Sequence, residues 1–93
     1  MEKPTKVKFS KRALKQCQHI PAYLNNLIDI WAQQVELLGI RKIRERPAYH
    51  DKPLQGDRWG QRSVRLNRAY RLFYIQSDNE IEILIIEVNK HDY

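Results

Sequence analysis

The hydrophobic period of this chain switches from helical to strand-like after Gly60, and no other feature constrains the fold as much. Between Pro21 and Gly39 the apolar residues Leu24, Leu27, Ile28, Trp31, Val35 and Leu38 recur at helical spacing, an amphipathic face about four turns long. After Gly60 the period falls to two. Val64 and Leu66 alternate with Ser63, Arg65 and Asn67, and Tyr70, Leu72 and Tyr74 alternate with Arg71, Phe73 and Ile75, the pattern of half-buried strands. The run from Ile81 to Val88 is nearly continuous in apolar residues, as a central strand requires. A chain with helical pattern first and strand pattern last belongs to the α+β class.

Punctuation supplies the remaining elements. Lys6-Val7-Lys8-Phe9 alternates with period two and reads as a short strand. Ser10 is placed to cap a helix carrying Ala13, Leu14 and Cys17 on one stripe. Pro21 suits the first position of the second helix and Gly39 suits its end. Residues 41–61 lack a clean period and contain Pro47, Pro53, Gly56 and Gly60, so they read as a basic loop, with or without a short helical extension. Asn67 to Ala69 and Ser77 to Glu80 are the hairpin turns. The expected order is β-α-α-β-β-β: an antiparallel meander sheet with an N-terminal helical hairpin packed on one face. Val64, Leu66, Leu72 and Tyr74 should lie under the helices, with Trp31 in the core. Arg65 and Arg71 should then point to the opposite, open face.

Ninety-three residues suffice for one domain, 1–93, with a single core. No apolar run approaches the roughly 20 residues of a membrane span, and the first residues lack a signal-peptide pattern. Cys17 is the single cysteine, and its place on a helical stripe suits packing more than reactivity. The expectation is a cytoplasmic protein. Three histidines and one cysteine without ligand spacing argue against a zinc site, and no cofactor or metal is expected.

Net charge is +6, unevenly distributed. Residues 41–71 hold ten Lys and Arg against Glu45, Asp51 and Asp57, whereas residues 72–93 are net negative. Such clustering attracts polyanions by counterion release and steering. Nucleic acid is the favoured partner, with an acidic protein surface as the alternative. The chain closes on Lys90, His91, Asp92 and Tyr93 directly after the last strand. None of these is needed to complete a core. Histidine exchanges a proton near neutral pH, tyrosine offers a face for a base, and the upstream arginines offer charge. The combination suits work on a phosphodiester, although a solvated tail would read the same way.

Four stretches carry a resemblance. Lys52-Pro53-Leu54-Gln55-Gly56, Gly60 to Leu66, Tyr70-Arg71-Leu72-Phe73-Tyr74 and Glu87 to Tyr93 occur in the order seen in the RelE/ParE superfamily of bacterial type II toxins. They are most similar to its HigB-like and RelE-like members. The resemblance implies a metal-independent endoribonuclease, an mRNA interferase that cuts message in the ribosomal decoding site. It also implies a tightly bound cognate antitoxin, with the mRNA and the small ribosomal subunit as further partners. The family's strand arginine falls on Arg71, its terminal tyrosine on Tyr93 and an acid/base histidine on His91. Basic residues of the preceding loop fall around His50, Lys52 and Arg58. The glutamate base that some members carry in that loop has no counterpart here.

Candidate roles follow. His91 can act as base or acid, and Tyr93 can stack the base at the cut, hold geometry or donate a proton. Arg71 and Arg65 can stabilise the phosphorane, and Asp92 can orient His91 or an arginine. Lys52, His50, Arg58, Arg62, Arg68 and Lys90 are candidate RNA contacts. Against these stand quieter readings: Arg65 and Arg71 can pair with Glu82 or Glu87 across strands, and Trp59 can anchor the loop rather than stack on a base. Two other functions share the fold. One is a ParE-like inhibitor that binds DNA gyrase, and the other is a non-catalytic RNA-binding module.

Overall fold

The computed structural model describes residues 5–77 and 81–90. The expected second hairpin turn lies partly, and His91, Asp92 and Tyr93 wholly, outside the described residues. Strand β1 (Lys6–Phe9) is followed by helices α1 (Lys11–Cys17), α2 (Ala22–Leu38) and α3 (Ile40–Arg44). A 3-10 turn at Pro47–Tyr49, the two-residue strand β2 (Lys52–Pro53) and a second 3-10 turn at Gly56–Arg58 then lead into the meander β3 (Arg62–Arg65), β4 (Tyr70–Gln76) and β5 (Glu82–Lys90).

The sheet order is β1-β5-β4-β3-β2. The α+β class and the antiparallel meander agree with the sequence reading. The apolar run forms β5, which has a strand on either side. Strand β1 adds parallel to β5, with Val7 opposite Ile83. The short helix α3 and strand β2 are additions to the expected order.

The edge formed by β1 and the end of β5 is covered rather than left open. The outward Val7 amide donates to the Glu36 carboxylate of α2 at 2.9 Å. Where β1 ends, α1 takes its place beside β5, and the Gln16 side chain accepts the Val88 amide at 2.7 Å. Both contacts occupy backbone groups that would otherwise template pairing with another chain. Ser10 starts α1 as expected, its hydroxyl accepting the Ala13 amide at 3.0 Å. Gly39 ends α2 at φ 86°, a left-handed value that favours glycine and lets α3 begin at the next residue.

The core lies between the helices and one face of the sheet. Leu24, Ile28, Trp31 and Val35 of α2 and Ile40 and Ile43 of α3 are buried, as are Val64, Leu72, Tyr74, Ile83, Ile85 and Val88 of the sheet. The rings of Trp31 and Tyr74 meet with centroids 5.3 Å apart. Three expected core positions fall on flanks instead: Leu27 and Leu38 of α2 are exposed, and Leu14 is half exposed. The burying stripe of α2 is narrower than its apolar face, and α1 meets the core through Ala13 and Cys17. Burial, and then nearby Asp29, raise the Cys17 thiol above its ordinary pKa, which suits packing more than nucleophilic chemistry.

A polar cluster ties the basic loop to the core. Asp51 accepts from the Arg62 Nε at 2.6 Å and from the Tyr74 hydroxyl at 2.6 Å. Burial first, then the charge and hydrogen bond of Asp51, raise the Tyr74 phenol well above its ordinary value near 10. A raised phenol pKa favours the neutral form in the folded state. Its stabilisation is therefore complete below about pH 10 and is lost as pH rises beyond it. Tyr74→Phe should cost about 1 to 2 kcal/mol at neutral pH and reduce the alkaline loss of stability. Urea melts at neutral pH and near pH 10.5 check both, and an unchanged pH profile would remove Tyr74 as the titrating group.

Candidate RNA-binding face

The pleat sends Leu72 and Tyr74 into the core and Arg71, Phe73 and Ile75 to the opposite face. On β5 a bulge decides which residues join them. Phe73 lies opposite Glu87 but Tyr74 lies opposite Ile85, so Ile86 is the extra residue and the alternation of β5 inverts. Without the bulge, Glu87 would share the core side with Ile83 and Ile85. With it, Glu87 and Asn89 reach the open face.

Two cross-sheet rows result. Lys52, Ser63, Phe73 and Glu87 lie opposite one another in the first. Arg65, Arg71 and Asn89 form the second. Arg65 and Arg71 are direct neighbours of like charge, an arrangement that opposes folding. The Arg71 Nη1 is shielded from solvent and has no hydrogen-bond partner, and the Ser63 hydroxyl of the first row is also buried without one. Among the described residues the Trp31 Nε1 and Arg44 Nε are unpartnered too, so what sets Arg71 apart is its place opposite Arg65 on an open face.

Arg58 enters this face from the second 3-10 turn. Its guanidinium lies 4.3 Å from the Phe73 ring centroid, a cation–π distance. Its Nη2 donates to both carboxylate oxygens of Glu87 at 2.9 Å, and its Nη1 to Gln61 at 2.8 Å. Arg12 of α1 approaches the same carboxylate at 3.4 Å, and the Asn89 amide also donates to it. Glu87 is therefore saturated, and its side chain is only 5% exposed. Cross-strand pairing of Glu87 with Arg65 or Arg71 does not occur. Glu82 pairs instead with Lys8 at 3.4 Å. Glu87 has no role in the sequence reading beyond that pairing. No period in a continuous apolar run signals the bulge that places it.

The remaining sequence candidates divide. Lys52 lies at the β2 end of the first row and is exposed, and His50 is exposed just before β2 at φ 45°. Arg68 is exposed in the β3–β4 turn, which Asn67 organises by accepting the Ala69 and Tyr70 amides. Arg62, grouped above with the RNA contacts, shares the Tyr74 side of the sheet and is held by Asp51. The pleat turns it away from the open face, toward Asp51. Lys90 lies opposite Tyr70, on the Leu72 side by alternation, and is exposed. Trp59 does not anchor the loop, because its side chain projects into solvent with the residue 79% exposed. Among the described residues no three His, Cys, Asp or Glu side chains converge to hold a metal ion, and no helix is long and apolar enough to cross a membrane.

Residues 7–92 match the family described as ParE toxin of type II toxin-antitoxin system, parDE. The chain belongs to that family, within the RelE/ParE superfamily, and is a toxin of a type II toxin-antitoxin system. Among solved structures it is similar to the RelBE2 toxin-antitoxin complex from Mycobacterium tuberculosis, with 22% identity and a TM-score of 0.71 over 95% of this chain and 99% of that one. The archaeal RelE–RelB complex from Pyrococcus horikoshii gives 20% identity and a TM-score of 0.73 over 94% of each chain. YafQ from E. coli gives 16% identity and a TM-score of 0.70 over 94% of this chain and 93% of that one. No curated protein matches in sequence.

Proposed function

We propose that this toxin is a ribosome-dependent mRNA endonuclease whose reaction takes place on the open sheet face beside Arg71. The observation that carries the reading is the Arg65–Arg71 cross-strand pair: two arginines directly opposite each other on the open face, one with a shielded and unpartnered nitrogen. That arrangement costs stability in the free protein and is offset when a phosphate lies across it.

RNA supplies its own nucleophile, the 2′-hydroxyl beside the scissile phosphate. Cleavage needs that proton removed, the 5′-oxygen protonated as it leaves, and the added charge on the phosphorane stabilised. Arg71 and Arg65 suit the last task, because preorganised donors act most strongly where charge develops. His91 takes the proton transfer as base or acid. Tyr93 stacks on the base at the cut, holds geometry or donates a proton, and Asp92 orients His91 or an arginine. Lys52, Arg68, Lys90 and His50 bind flanking phosphates. Arg58 is already engaged by Glu87, so it contributes through its stacked position over Phe73. In this reading the antitoxin is an acidic segment laid over the basic face, in keeping with the toxin–antitoxin complexes among similar structures. A cytoplasmic location accompanies a ribosomal target.

Cleavage of a defined message in a purified translation system tests the proposal. Cuts are expected with ribosomes present and are expected to be weak or absent on free RNA. The family description names ParE, so gyrase is the rival target. Inhibition of gyrase supercoiling without any RNA cleavage would overturn the endonuclease reading.

A further inference from the structure

The loop 54–61 is closed at its base, where the Leu54 amide donates to the Gln61 carbonyl at 2.9 Å. The closed loop sends its two largest side chains in opposite directions. Arg58 turns inward over Phe73, while Trp59 stays almost fully exposed. Burying an indole would stabilise the fold, so a Trp left in water beside a basic face calls for another explanation. Trp59 stands at a cavity of about 230 Å3 lined by Leu54, Gln55, Gly60, Gln61, Arg62 and Gln76, among others. That is below the usual size of a drug-sized site and suits a single ring system.

The polarity of the cavity narrows the ligand. The Gln61 Oε1 accepts from Arg58 at 2.8 Å, and the Gln76 Oε1 accepts from Arg44 at 2.6 Å. A guanidinium can only donate, so the atom each glutamine turns to its arginine must be the amide oxygen. Each keeps both amide N–H donors, whereas its oxygen, already turned to an arginine, has one lone pair left, so donors dominate what the pair can offer. Donors recognise a ring edge rich in acceptors. Guanine presents O6 and N7, and uracil, like thymine, presents O4, whereas adenine and cytosine place amino donors at the corresponding position.

We propose that Trp59 and the cavity beside it form a nucleobase subsite that prefers the keto bases guanine and uracil. Resting on the RNA reading above, it adds a base preference at a position removed from the cut. Gln61 precedes Arg65 by four residues along one strand direction, about 13 Å, so a short single strand can lie across Arg65 and Arg71 and place a neighbouring base on Trp59. Stacking on an aromatic side chain supplies affinity for any base, and the glutamine donors supply the choice among them.

Binding of short, non-cleavable 2′-deoxy oligonucleotides tests this without relying on activity. Uracil-containing oligomers of one length should quench Trp59 fluorescence and bind several-fold more tightly than adenine oligomers. Trp31 is buried, so it supplies a constant background. Trp59→Ala should weaken binding about tenfold and remove the preference. Arg71→Ala should weaken all sequences alike and leave the preference in place. If the wild type binds RNA, loses it in Arg71→Ala and is indifferent to Trp59→Ala, the subsite is wrong and the RNA reading stands. If adenine is preferred, the keto assignment is wrong. If no oligonucleotide or ribosome-bound message is engaged at all, the RNA reading falls and takes the subsite with it.

Discussion

Arg71→Ala should lower mRNA cleavage by about 100- to 1,000-fold while leaving the fold intact or slightly more stable. The side chain lies on the open face, opposite Arg65, and contributes nothing to the layer beneath the helices. Removing it deletes a like-charge neighbour and a shielded nitrogen without a partner, both of which oppose folding. Loss of activity with an unchanged or raised melting temperature is the pattern of a residue kept for chemistry at some expense to stability. Arg71→Lys keeps the charge but loses the two-pronged geometry and should fall between Ala and wild type. Initial rates in the translation system, beside thermal melts, separate the outcomes. Full cleavage by Arg71→Ala would remove Arg71 from the site. Measuring His91→Ala in parallel shows whether proton transfer resides there.

The second large effect is on stability alone. Asp51→Ala should cost about 3 to 5 kcal/mol, because it leaves a partly buried guanidinium and a buried phenol without their acceptor. The Asp51 side chain is 1% exposed, and both of its partners lie on the core side of the sheet. A chain of this length has about 5 to 14 kcal/mol in all, so the melting temperature should fall by some 15 °C or more. Asp57 is exposed in the neighbouring 3-10 turn, and Asp57→Ala should stay within about 0.5 kcal/mol of wild type. Circular dichroism melts of the two variants give the comparison. Near-equal melting temperatures would show that the Asp51 cluster does not hold the loop to the sheet.

These effects trace back unequally to the sequence. The α2 stripe was legible because Leu24, Ile28, Trp31 and Val35 repeat with a period that only a helix satisfies. The open-face position of Arg65 and Arg71 was legible because the pleat alternates strictly, and Val64, Leu72 and Tyr74 had to be inside. Less legible were the flanks: apolar Leu14, Leu27 and Leu38 belong to the helical pattern but not to the core. A helix's apolar face records what can be buried, and the width of the sheet beneath decides what is.

Period and punctuation by themselves determined the fold class, the order of the main elements and the face carrying two arginines. Each of those depends on neighbours within a few residues, where helix and strand geometry leave one solution. The tertiary structure alone decided the partners of the other charges. Arg58 and Glu87 lie 29 residues apart and meet because a bulge after Phe73 inverts β5, while Arg62 and Asp51 meet on the core side because β2 pairs with β3. Ion pairs have no sequence period, so only the register of the assembled sheet selects which opposite charges come within reach.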